Sequence, residues 1–287
     1  MDRRNFLHQF SVGTLAMMTL SSFKNEMDNL GASDKMPVLF IGHGSPMNAI
    51  ENNEFSEAWK ATASKIPVPK AILCISAHWE TNGTKVTAMQ TPKTIHDFGG
   101  FPQELFDKQY PAPGSPTLAS ETKSLIKKTS VELDMEWGLD HGTWSVLAPM
   151  YPEAKIPVYQ LSLDYTKPPE YHYALSKELS ALRRKGVLII GSGNIVHNLG
   201  MIQWSDKAFD WAIEFDAIAA NHIEEGNHQP LINYKNFGKA ATLSIPSNEH
   251  YLPMLYAIAL QEKNESVSFF ANKTTMGSIS MRSIKIG

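Results

Sequence analysis

Pro37-Val38-Leu39-Phe40-Ile41-Gly42-His43 is a run of apolar residues that ends on a glycine and a histidine. A short apolar run closed by glycine reads as a strand buried on both faces. Downstream, Phe55 to Ile66 repeats its apolar residues at helical spacing, through Phe55, Trp59, Ala63 and Ile66. Ala71 to Ala77 is a second unbroken apolar run, and His78 follows it directly. Strand, helix and strand within about forty residues predict a βαβ unit with parallel strands.

The pattern continues to the C-terminus. Helices are expected over Pro116–Lys128, from Pro168-Pro169 to about Arg184, over Ala208–Ile223 with Phe209, Ile213, Ala217 and Ala220 on its apolar face, and over Tyr251–Leu260. Strands are expected at Ile156–Leu163, Val187–Ile190, Val267–Phe270 and Ile279–Ile286. Thr91 to Ser115 is rich in proline, glycine and aromatics and reads as a long loop forming a wall or lid. No repeat or linker divides the chain. The expectation is an α/β fold: a single domain over 33–287, with a central, mostly parallel sheet flanked by helices.

Composition narrows the function. Of 287 residues 43% are hydrophobic and 19% charged, ordinary for a globular domain with a sizeable core. A net charge of −3 without a basic run gives no sign of a nucleic-acid partner, and none is expected. The single cysteine, Cys74, excludes an internal disulfide and a thiolate metal cluster; it reads as a small buried hydrophobe or as a reactive thiol. Residues 1–32 have the layout of an export signal: Arg3-Arg4-Asn5-Phe6-Leu7, then an apolar stretch from Phe10 to Leu20. The paired arginines resemble a twin-arginine signal, which implies a periplasmic protein; if the segment is instead a plain tail, the protein is cytoplasmic. The stretch is too short to span a bilayer, so no transmembrane segment is expected in the mature chain.

The histidines carry the chemistry. His43, His78 and His197 each follow a strand-like run, and small residues (Gly42, Gly44, Ala77, Gly191, Gly193) flank them. In open α/β sheets ligands bind beyond the carboxyl ends of the strands. Three strands ending this way would place three imidazoles in one crevice, where they would suit zinc or iron. His250 opens the last apolar helix, and Glu249 beside it offers a carboxylate that would replace or join it. Each of these histidines alone also fits a plain hydrogen-bonded structural role. His141, between Asp140 and Thr143, reads as a general acid or base or as a surface residue. His96 is placed to touch substrate. Trp79, Phe98, Phe101, Tyr110 and Trp144 read either as the wall of an aromatic pocket or as core.

Taken in order, Gly42-His43-Gly44-Ser45-Pro46, Ser76-Ala77-His78-Trp79, Thr94-Ile95-His96-Asp97-Phe98-Gly99-Gly100-Phe101-Pro102, Tyr110-Pro111-Ala112-Pro113-Gly114, Asp140-His141-Gly142-Thr143-Trp144, Gly193-Asn194-Ile195-Val196-His197-Asn198 and Glu249-His250-Tyr251-Leu252-Pro253 resemble the DOPA-dioxygenase branch of the class III extradiol dioxygenases, the LigB superfamily. The resemblance runs from about Met36 to Gly287. It implies one mononuclear metal ion, zinc or Fe(II), at the carboxyl ends of the strands. The family's metal histidines fall on His43, His78 and His250, while His197 is either a further ligand or the acid/base. His141 is implied as a catalytic helper, and Ser45, Trp79 and His96 as candidate substrate contacts. The implied partners are a small catechol, L-DOPA or a relative, and O2, both atoms of which enter the opened ring. Two other readings fit the same residues: a zinc hydrolase working without O2, and a non-catalytic binding protein on the same fold.

Overall fold

The computed structural model describes residues 35–287. The segment read as an export signal, residues 1–32, lies outside the described residues. Six strands form the central sheet: β1 (Val38–Gly42), β2 (Ala71–Ser76), β3 (Val158–Gln160), β4 (Val187–Gly193), β5 (Val267–Phe270) and β6 (Ser283–Ile286). Their order is β3-β2-β4-β1-β6-β5. The first four in that order are mutually parallel, and β6 and β5 complete the sheet antiparallel. The expected βαβ unit is present, with β4 inserted between its two parallel strands.

Every residue of β1, β2 and β4 is buried, as the unbroken apolar runs require when both faces of a parallel sheet are covered. Alternation along the strands splits the core in two. Val38, Phe40, Leu73, Ile75 and Ile189 face one layer, with helices α2 (Pro116–Leu125), α4 (Pro169–Ser176), α5 (Asp210–Glu224) and α6 (Leu252–Ala259). Leu39, Ile41, Ile72, Leu188 and Ile190 face the other, with α1 (Glu54–Ala63) and α3 (His141–Met150).

Register is what positions the site. Gly42 lies opposite Gly193, and Ser76 opposite Ser192. The three strands therefore end level, and the histidines that follow them emerge at one edge.

Several expectations need correction. The strand expected at Ile156–Leu163 holds only over β3; Leu163–Asp164 pairs instead with Glu80–Thr81. Ile279–Ile286 is two strands, because Arg282 turns away to ion-pair with the buried Asp216. The helix expected to reach Arg184 breaks into α4, a 3-10 turn at Lys177–Leu179 and a last turn at Ser180–Arg183. The long loop contains a short helix, Gln103–Asp107. In α5 the buried stripe is Ala212, Phe215, Ala219 and Ile223, whereas Ile213 is exposed. The expected face was rotated because Asp216, polar but buried, belongs to the inner side.

Candidate metal centre

Three loops and two helix starts converge at the carboxyl edge. His43 follows β1 immediately, and its backbone N–H donates to the Gly193 carbonyl at 3.0 Å. His78 stands two residues beyond β2. His141 is the first residue of α3, whose N-cap Asp140 accepts the Thr143 N–H. His250 precedes α6 and crosses the end of β4: its carbonyl accepts the Asn194 N–H at 2.8 Å. A Cβ at Gly193 would fall onto that carbonyl oxygen, so glycine is required for the crossing. Gly142 serves in the same way, since a Cβ there would strike Ser76 Oγ and the His78 ring.

The five imidazoles form one cluster. The ring of His43 lies 5.0, 5.2 and 5.9 Å from those of His78, His250 and His141, centre to centre. His78 and His141 are 3.8 Å apart, and His197 stacks on His250 at 3.5 Å, within 7° of parallel. Ligand-capable nitrogens of His43, His78 and His141 lie within 4.8 Å of one another, and so do ligand-capable atoms of His197, Glu249 and His250.

The outer partners fix which nitrogen faces inward. Ser192 Oγ donates its proton to the Gly142 carbonyl, so it can only accept from His43 Nδ1, 3.0 Å away. Glu249 Oε1, 3.0 Å from His250 Nδ1, likewise accepts a hydrogen bond from that N–H. Both rings are then left with a bare Nε2, the arrangement that metal-ligating histidines show. The carboxylate of Glu249 is thus engaged in orienting His250, and it accepts from Ser247 Oγ as well.

Electrostatics agree. Burial, and then the neighbouring imidazoles, hold His43 and His250 well below the ordinary histidine range. Burial and His141 bring His78 down to about 3, against the opposing pull of Asp97. Burial brings His197 down to about 4. These rings are neutral at pH 7, the form that binds metal. His43 Nε2 and His78 Nε2 face each other at 3.2 Å. Two ligands bound to one ion at about 2.1 Å stand roughly 3.0–3.4 Å apart, so this pair fits a shared cation. The stacked His197 fits less well beside His250. An ion in the plane of one ring, at about 2.1 Å from its nitrogen, is out of bonding range of a parallel ring 3.5 Å away.

The other sequence candidates fall around this cluster. Ser45 caps a 3-10 turn, accepting the Met47 N–H. His96 sits among Phe98, Phe106 and Trp144 and donates Nε2–H to the Lys108 carbonyl at 2.9 Å. Trp79 is buried and stacked on Trp137. Phe98 presents its ring edge-on to His141 at 5.5 Å and is packed by Phe101 and Phe106. Tyr110 and Trp144 are core, with their polar atoms spent on the Tyr151 and Ile95 carbonyls. Cys74 is buried, and burial pushes its thiol far up, which settles it as a hydrophobe.

Sequence reasoning missed the supporting polar groups. Asp140 is fully buried and accepts from Ser76 and Gln160 at 2.6 Å each. Burial, then the nearby Asp97, raises its carboxyl against those hydrogen bonds. Ser192 and Asp97 were equally unmarked. Asp97 and Asp140 lie inside the histidine motifs, and Ser192 directly precedes one, which was their only signal in the sequence.

Comparison with known proteins gives a consistent match. The family described as the catalytic LigB subunit of aromatic ring-opening dioxygenase matches residues 37–282. A 4,5-DOPA dioxygenase extradiol of Escherichia coli (strain K12) is 46% identical over 266 residues, covering 91% of this chain and 98% of that protein. One of Beta vulgaris is 37% identical over 265 residues, covering 89% and 98%. A crystal structure of an uncharacterized Escherichia coli K12 protein superposes with a TM-score of 0.77 at 41% identity, covering 88% of this chain and all of that one.

Proposed function

The chain belongs to the LigB family of aromatic ring-opening dioxygenases, and from that membership we propose that its substrate is a catechol, L-DOPA or a close relative, opened at a single metal ion. The protein is an extradiol ring-cleavage dioxygenase. The observation that supports a metal is the convergence of ring nitrogens: His43 presents a bare Nε2 at 3.2 Å from His78 Nε2, and His43, His78 and His141 offer ligand atoms within 4.8 Å of one another. His43, His78 and His250 are the proposed ligands.

When bound, the ion, zinc or Fe(II), would hold the diol by its positive charge, and as iron it would also supply the electron-transfer path to O2. The rest falls to the chain. His197 stands in face contact with His250 and is the proposed base for a hydroxyl proton of the diol. His141 flanks His78 on the opposite side, beneath the Phe98 ring edge. Phe98, Phe101 and Phe106 form an apolar wall that excludes water and suits an aromatic ring.

The test is oxygen uptake by anaerobically purified, iron-loaded protein given L-DOPA, with the visible spectrum followed at once. One O2 consumed per L-DOPA, with a new yellow chromophore, is the expected result. Uptake with simpler catechols alone would move the substrate. No uptake with any catechol would overturn the catechol reading, and hydrolysis without O2 would favour a zinc hydrolase.

A further inference from the structure

Asp97 is an acid that lies against two rings of the cluster, His141 and His78. Oδ1 accepts the His141 backbone N–H at 2.9 Å, occupying one of the free donors at the start of α3. Oδ2 lies 3.0 Å from His141 Nδ1 and 3.6 Å from His78 Nδ1. The first distance is that of a hydrogen bond, though the ring N–H is not aimed along it, and this buried nitrogen has no aligned partner among the described residues. The second distance is an electrostatic contact only.

The strand of chain that carries Asp97 is tied to α3. Thr94 bridges Leu139 in parallel. Ile95 N–H donates to the Leu139 carbonyl, and Leu139 N–H to the Lys93 carbonyl, each at 2.8 Å. Trp144 Nε1–H, from within α3, donates to the Ile95 carbonyl at 2.8 Å. The carboxylate and the ring it holds therefore belong to one rigid unit.

We propose that Asp97 is a positioning residue: it holds the proton of His141 on Nδ1, so that His141 Nε2 faces the reacting centre, and it steadies the neighbouring His78 ring in the same sense. This matches the roles of Ser192 for His43 and Glu249 for His250, so each of the four inner rings then has one outer oxygen partner. The inference rests on reading the cluster as the metal-dependent site. Its first test does not.

In metal-free protein, long-range proton–nitrogen NMR of the imidazoles should find His141 with its proton on Nδ1. Asp97→Asn keeps an oxygen for the His141 backbone N–H and so keeps the cap, and an unchanged melting temperature confirms it. In that variant the His141 proton should redistribute between the two nitrogens. Zn²⁺ affinity should fall about 10-fold, and turnover roughly 10- to 100-fold with KM little changed. In a His141→Ala background the same substitution should change turnover by less than about 3-fold, since its target is gone. An unchanged His141 tautomer in Asp97→Asn, or an equal turnover loss with and without His141, would overturn the proposal. Failure of the wild type to consume O2 would instead strike the catechol reading, with the tautomer and Zn²⁺ results still deciding the role of Asp97.

Discussion

The two ends of the parallel strands both bury ionisable side chains and treat them in opposite ways. At the amino end Arg183 is fully buried, and its donors reach the Met36 and Leu260 carbonyls and both oxygens of Glu265, which also meets Lys35. Both carboxylate oxygens of Glu265 are hydrogen-bonded, and the guanidinium is spread over two carbonyls and that carboxylate. At the carboxyl end five imidazoles crowd together; burial keeps His43, His78, His197 and His250 neutral at pH 7, and His43 Nε2 and His78 Nε2 face each other at 3.2 Å. A fold that pairs its buried charges at one end gathers uncharged ligand nitrogens at the other. That contrast marks the histidine end as built for a guest and the arginine end as built for stability.

Substitutions separate the two ends. His43→Ala should abolish oxygen uptake to background while costing less stability than any change at the arginine end, checked by an oxygen electrode and urea unfolding. Arg183→Ala should do the reverse. Removing one partner of a buried ion pair costs about 3–5 kcal/mol, yet turnover per folded molecule should be unchanged at a temperature where the variant is folded. A milder change sharpens the contrast: Ser192→Ala leaves His43 in place and removes its Nδ1 partner, so metal affinity or turnover should fall roughly 10- to 100-fold.

Acid separates them as well. His43, His250, His78 (about 3) and His197 (about 4) have folded values below the ordinary 6.5, and so does His172 (about 4), buried against Tyr256. Between the folded and ordinary values the unfolded chain binds more protons, so stability is full above pH 6.5 and drains as pH falls through this window. At the other end burial alone would raise Glu265, but hydrogen bonds from Arg183 and Lys35 outweigh it and hold the carboxyl at about 2 against an ordinary 4.5. Its contribution is present above pH 4.5 and is lost only as pH falls toward 2. Metal-free protein should therefore begin losing stability near pH 6.5, in urea titrations read by circular dichroism, and the Arg183→Ala variant should keep this early phase and lose the later one.

The smallest effect concerns the corrected face of α5. Ile213→Ser should alter stability by no more than about 0.5 kcal/mol, whereas Phe215→Ala should cost about 3–5 kcal/mol.

What was legible in the sequence follows from the same physics. β1, β2 and β4 could be read because strands buried on both faces are apolar without interruption, and the histidines at their ends followed from the level register. The helix α3 could not, because nearly all its residues are buried, which erases the helical period, and it starts on His141-Gly142-Thr143. The face of α5 was misread because Asp216 is buried by a partner, Arg282, sixty-six residues away. The convergence of His250 on the others depends on its carbonyl passing over Gly193, a contact that no local pattern encodes. Asp97 shows the same limit: its neighbours His96 and Phe98 drew the eye, while its own partners, His78 and His141, lie across the fold.

The most direct measurement is imidazole nitrogen NMR of metal-free protein titrated with Zn²⁺. The expected result is a simultaneous shift of the Nε2 resonances of His43, His78 and His250, complete at one ion per chain, with His197 keeping the resonance of an unligated ring. No shift at His43 and His78, or saturation only beyond one ion per chain, would contradict a single metal centre at this edge of the sheet.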